Sequence, residues 1–235
     1  MSEMMVLLVS AATLGMVHTL LGPDHYLPFI VLSKARNWTR TRTLWITFIA
    51  GVGHITGSVV LGMIGIAMGI SLSRLEAIEA SRGSLVGWML IAFGIGYTVY
   101  GIYKYYRKGA HVHLPAFLRP RSIRHRDLHL SDRDLENEND TGSLTPWILF
   151  LIFVFGPCEV LIPMLIYPAS QHSGLGVFLV AIVFGTATIG TMLTVVMLGY
   201  RGLSLVRFKG REHQLHLYAG LIILAAGVGM QFLGL

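Results

Sequence analysis

Apolar residues in this chain gather into six long runs, Met4–Leu21, Leu44–Ile70, Leu85–Tyr103, Pro146–Tyr167, Leu175–Tyr200 and His216–Leu235, with polar and cationic stretches between them. Most reach the ~20 residues that a helix needs to cross a hydrocarbon core. The first run is short. Past Gly22-Pro23 it continues into Tyr26 to Leu32, which predicts a broken helix or a helix followed by a re-entrant piece. It has no basic leader and no small-residue cleavage site, so it does not read as a signal peptide. With 54% hydrophobic and 13% charged residues in 235, the pattern predicts an all-α, polytopic membrane protein whose principal partner is the lipid bilayer.

The chain repeats itself. Gly22-Pro23-Asp24-His25 returns as Gly156-Pro157-Cys158-Glu159, and at shifts of 132 to 134 residues Gly53 meets Gly185, Thr56 meets Thr188, and Gly87, Gly94 and Gly96 meet Gly220, Gly227 and Gly229. Glycines are common in membrane helices, but ordered matches in three successive segments are more specific. Three crossings per half make the second copy enter from the opposite side. The expectation is a 3+3 inverted repeat of six helices with helices 1 and 4 broken at Gly-Pro: a first repeat over 1–106, a linker over 107–145 and a second repeat over 146–235. In such architectures the substrate site lies near mid-membrane, where the broken helices meet.

Charge adds orientation. Sixteen of the eighteen Lys and Arg fall in the first, third and fifth connections, and the other two, Arg74 and Arg82, are assigned to the second connection beside Glu76 and Glu79. The positive-inside rule then places the odd connections in the cytoplasm and both termini outside a cytoplasmic membrane. The net charge of +6 is accounted for by topology, and no basic soluble domain suggests a nucleic-acid partner. The linker begins His-rich (His111, His113, His125, His129) and ends acidic, which suits either a metal-collecting segment or a plain soluble spacer. One cysteine, Cys158, excludes an internal disulfide and any redox mechanism that needs two thiols in one chain.

Asp24 and Glu159 are the acids expected at membrane depth, and no Lys or Arg falls in a predicted core segment to pair with them. Burying a carboxylate in hydrocarbon costs at least ~2.5 kcal/mol on insertion scales, so such acids usually face an ion or substrate path. His18, His25 and His54 join them. One buried histidine is as often a hydrogen-bonded structural group as a ligand; three beside two carboxylates make a ligand set for borderline metals such as Ni2+, Co2+ and Zn2+, to which a Cys158 thiolate would add a softer donor. Seven residues of intact helix would hold His18 and His25 about 10.5 Å apart along the axis, whereas nitrogens on one ion sit at most about 4.2 Å apart. Joint ligation therefore requires the chain to unwind at Gly22-Pro23. Candidate metal residues are His18, Asp24, His25, His54, Cys158 and Glu159, the last two as lining, gate or alternate ligands.

At His18-Thr-Leu-Leu-Gly-Pro-Asp24-His25 followed by Gly53-His54-Ile-Thr-Gly57, the chain resembles the nickel/cobalt transporter superfamily, especially its six-helix UreH-like (NicO-type) members. Five residues separate His18 from Asp24 where the larger, eight-helix permeases typically have four. The second motif resembles the wider LysE/CcdA-type architecture. The resemblance implies a secondary transporter, not an enzyme, with His18, Asp24, His25 and His54 recognising Ni2+ or Co2+ as transported substrate and no permanently bound cofactor. No P-loop is present to use ATP. Export of a small anion such as sulfite or an organosulfur acid is the alternative, and a thiol electron carrier is disfavoured because Asp24 stands where a second cysteine would be wanted. Direction, coupling ion and homo-oligomerisation stay open.

Overall fold

The computed structural model describes residues 3–109, 144–205 and 214–233; the His-rich part of the linker lies outside them. All secondary structure among the described residues is helical. The order is α1 (Glu3–Leu21), a 3-10 turn (Pro23–His25), α2 (Leu27–Ala35), α3 (Arg40–Ala67), α4 (Leu72–Gly109), α5 (Leu144–Phe155), α6 (Leu161–Ser170), α7 (Gly174–Leu205) and α8 (Leu215–Val228). A π-helical turn, Gly229–Leu233, continues α8.

Five stretches are long and apolar enough to cross a membrane: Glu3–Leu21, Arg40–Ala67, Leu72–Lys104, Gly174–Ser204 and Leu215–Leu233. The fourth apolar run, expected as one broken crossing, is two shorter helices, α5 and α6, on either side of Gly156-Pro157. Large apolar side chains including Leu21, Trp45, Trp88 and Phe178 are more than half exposed. Apolar surface that extensive is a liability in water and ordinary in a bilayer.

Small residues set how the helices meet. The buried positions of α1 are Ala11, Gly15 and Thr19, four apart and so on one face. They let α1 approach α7 until a Cβ at Gly15 would lie 3.0 Å from Phe184 O, the close approach that small residues allow in membrane helices. Between α4 and α8, Gly94 lies against Leu224, Gly101 against Leu217, Gly220 against Thr98 and Gly227 against Ile91. Rising numbers on one helix meet falling numbers on the other, so the pair is antiparallel. Between α3 and α7, Gly51 meets Ile189 and Gly185 meets Ile55, again antiparallel. The turn from α3 to α4 is closed by Ile70 N–H to Gly65 O (2.9 Å) and Gly69 N–H to Ile66 O (3.1 Å). This is a Schellman motif, and Gly69 takes its left-handed position at φ 64°.

One boundary corrects the sequence reading. α4 starts at Leu72, not near Leu85, so Glu79 and Arg82 belong to a helix facing the core and not to a connection. A hydropathy profile penalises both charges and cannot anticipate that they neutralise one another, as they do in an ion pair.

Two apolar clusters fill the interior. One contains Phe29, Leu32, Leu90, Leu149 and Phe153; the other contains Ala11, Ile55, Cys158, Leu161 and Phe184. The polar constellation lies where they meet, with the Phe153 ring beside His25 and His54 and the Phe184 ring beside His18.

Candidate metal centre

Pro23 has no N–H to continue α1, and the chain unwinds there into one 3-10 turn before α2 resumes. The turn reverses the axial separation of His18 and His25. Their ring centroids are 4.8 Å apart, where an intact helix would leave them about 10.5 Å apart along its axis. His54, near the middle of α3, completes the group: its ring centroid is 5.1 Å from that of His25 and 6.3 Å from that of His18. One ligand nitrogen from each of the three rings lies within 4.8 Å of the others. That is about 0.6 Å wider than two nitrogens on one ion permit at ~2.1 Å bond lengths, a gap that small side-chain rotations close.

The outer nitrogens fix the inner ones. His25 Nδ1 is 3.2 Å from both Gly22 O and Asp24 Oδ1, and His54 Nδ1 is 3.3 Å from Phe153 O. A carbonyl only accepts, so each Nδ1 carries the proton and donates it, leaving the lone pair on Nε2. His25 Nε2 and His54 Nε2 are both buried, and neither has a hydrogen-bond partner among the described residues. Two buried acceptors without partners are costly unless something electrophilic meets them. The anchoring carbonyls and carboxylate resemble the outer partners that orient metal-bound histidines.

The two Gly-Pro glycines make room for the rings. A Cβ on Gly22 would lie 2.5 Å from His25 Nδ1, and one on Gly156 would lie 2.9 Å from His54 Nδ1. Each break thus admits an imidazole where any other residue would place a methyl group.

The remaining sequence candidates take distinct positions. Asp24 sits behind His25 as hydrogen-bond acceptor and is not one of the three grouped ligand residues. Cys158, fully buried, brings Sγ to 3.9 Å from His18 Nε2, close enough for both to reach one ion given bonds of about 2.3 and 2.1 Å, but it does not join the three-imidazole group. Glu159 is exposed. It lines a cavity of about 610 Å³ together with His18, Asp24, His25, Gly83 and Gln231.

Two residues beside the second break escaped the sequence reading. The Glu79 carboxylate is fully buried, accepts the Cys158 N–H at 2.8 Å and forms an ion pair with Arg82. Arg82 Nη2 also donates to Val154 O (3.3 Å) and Gly156 O (3.1 Å). A cation does lie in a core helix, since α4 supplies Arg82, but it pairs with Glu79 and not with Asp24 or Glu159; it serves the carbonyls freed where α5 ends while its acid partner serves an N–H where α6 is about to begin. The i,i+3 spacing of Glu79 and Arg82 was the available signal, hidden by their assignment to a loop. No protein-family model, curated protein or solved structure matches the chain.

Proposed function

We propose that this chain is a secondary transporter that carries a divalent transition-metal cation, Ni2+ or Co2+, across the cytoplasmic membrane. The observation that carries the reading is the grouping of His18, His25 and His54 at a helix break, with the Nε2 atoms of His25 and His54 buried and without a partner among the described residues. Neutral imidazole nitrogens with unshared lone pairs attract cations and repel anions, which weighs against sulfite as cargo. A set of two or three imidazoles with an optional thiolate suits borderline metals and not Mg2+ or Ca2+, which prefer all-oxygen shells.

The antiparallel packing supports the inverted repeat. A shift of 133 residues carries Gly94 on Leu224 into Gly227 on Ile91, and Gly87 on Gln231 into Gly220 on Thr98. A two-fold axis in the membrane plane generates this reciprocity. α3 with α7 and α4 with α8 would then be corresponding helices, and α5 with α6 the counterpart of α1 with α2. In the cycle that follows, His18, His25 and His54 hold the cation, Asp24 orients His25, and rocking of one repeat against the other exposes the site to each side in turn. Metal binding to these groups excludes protons from them, so proton entry assists release. The positive-inside distribution puts the linker in the cytoplasm.

Flux of Ni2+, Co2+ and Zn2+ into proteoliposomes tests the proposal, with sulfite as the anion control and His54→Ala as the site control. Metal flux that disappears in the variant is the expected result. Sulfite flux without metal flux would overturn it.

A further inference from the structure

A groove of about 810 Å³ lies between α3 and α7, and none of the three imidazoles lines it. The antiparallel register of these helices sets its chemistry. Arg40, the first residue of α3, comes level with Arg201 near the end of α7, and both guanidiniums line the same end of the groove. Below them the walls are apolar, with Phe48, Met197 and Leu198 along the length and Trp45 at the rim, 59% exposed. Among the described residues, no acidic one lines the groove. Among the described residues neither guanidinium has an ion-pair or side-chain hydrogen-bond partner.

We propose that this groove binds one anionic phospholipid, its phosphate between Arg40 and Arg201 and an acyl chain along Phe48, Met197 and Leu198. Charge complementarity selects this occupant. Two unpaired cations at one depth above an apolar channel match a headgroup anion joined to a hydrocarbon tail, and Trp residues favour that boundary. From Arg40 to Phe48 the helix rises about 12 Å, as it does from Leu193 to Arg201, so both walls offer a tail the same length of apolar surface. A second copy docked by two-fold symmetry about the bundle's long axis would instead bring four guanidiniums to one depth. The site is independent of the metal reading.

The test uses the full chain purified in neutral detergent. Native mass spectrometry measures binding of phosphatidylglycerol and of phosphatidylcholine with identical tails, and soluble glycerophosphoglycerol serves as competitor. Each Arg near the surface is worth roughly a fivefold gain for an anionic lipid, so the two together give a preference of about 25-fold. That preference should vanish in Arg40→Gln/Arg201→Gln and persist in Arg40→Lys/Arg201→Lys, with helicity unchanged in both because the side chains are exposed. Soluble headgroup should not displace the lipid. Equal binding of the two lipids, a preference untouched by the double Gln variant, displacement by headgroup alone, or a dimer that excludes lipid from this face would each overturn the proposal.

Discussion

Replacing Arg82 by Met removes the only described cation that reaches the second break. Three interactions are lost together: Glu79 loses its ion-pair partner, and Val154 O and Gly156 O lose a donor, while Cys158 N–H keeps Glu79. Glu79 is fully buried, so its charge is stranded. Breaking a buried pair by removing one partner costs about 3–5 kcal/mol, which already includes the stranded charge. The two carbonyls have weak alternatives, and the total for Arg82→Met is about 4 kcal/mol. The double variant Glu79→Met/Arg82→Met removes the stranded charge. It leaves three backbone groups without side-chain partners, so its loss should be smaller, about 2 kcal/mol, and should not reach zero. Equilibrium unfolding in mixed SDS micelles, followed by far-UV circular dichroism, measures both, and the cycle with Glu79→Met yields the coupling. Losses below about 0.5 kcal/mol for Arg82→Met, or a double variant less stable than the single, would refute the claim that the pair supports the break.

Other consequences concern the imidazoles and the helix contacts. Asp24→Asn removes the anion that orients His25 but no member of the triad, and calorimetry should show Ni2+ affinity reduced about 10–100-fold and not abolished. With Co2+ bound, Cys158→Ser should erase any thiolate-to-metal charge-transfer band while leaving the imidazole d–d bands; an unchanged spectrum would remove Cys158 from the ligand set. Gly156→Ala would place a methyl 2.9 Å from His54 Nδ1, and metal binding should fall at unchanged helicity. Gly94→Leu would set a Cβ 2.6 Å from the Leu224 backbone. Forcing α4 from α8 should cost about 1–3 kcal/mol or more in the same unfolding assay.

Much of this arrangement was legible in the residue order. Run lengths located five spans, because the bilayer demands a minimum apolar length whatever the packing, and Gly156-Pro157 marked where the fourth run divides. The approach of His18 to His25 followed from Pro23, since one missing N–H and the restriction on Gly22 suffice to unwind the chain. His54 could be nominated by type but not by distance, because its meeting with His25 depends on how α3 packs against α5 and the first break. Glu79 and Arg82 were misplaced for a related reason. Their partners Val154, Gly156 and Cys158 lie more than seventy residues away, and no local pattern encodes such a pairing. Asp24 was placed in the right neighbourhood, yet only side-chain geometry separates a ligand from the acceptor behind a ligand.

The reciprocal seam between α4 and α8 joins two helices that are made far apart in time. α4 is complete long before α8, the last of the described helices, leaves the ribosome, and the groups that satisfy Glu79 and Arg82 arrive only with α5 and α6. Until then a half-made chain holds a carboxylate and a guanidinium in the membrane with only each other for company, and Gly94 and Gly101 face lipid where a partner backbone belongs. A chain that stalls before α8 therefore carries a readable defect, and membrane quality control has a physical basis for telling unfinished copies from finished ones.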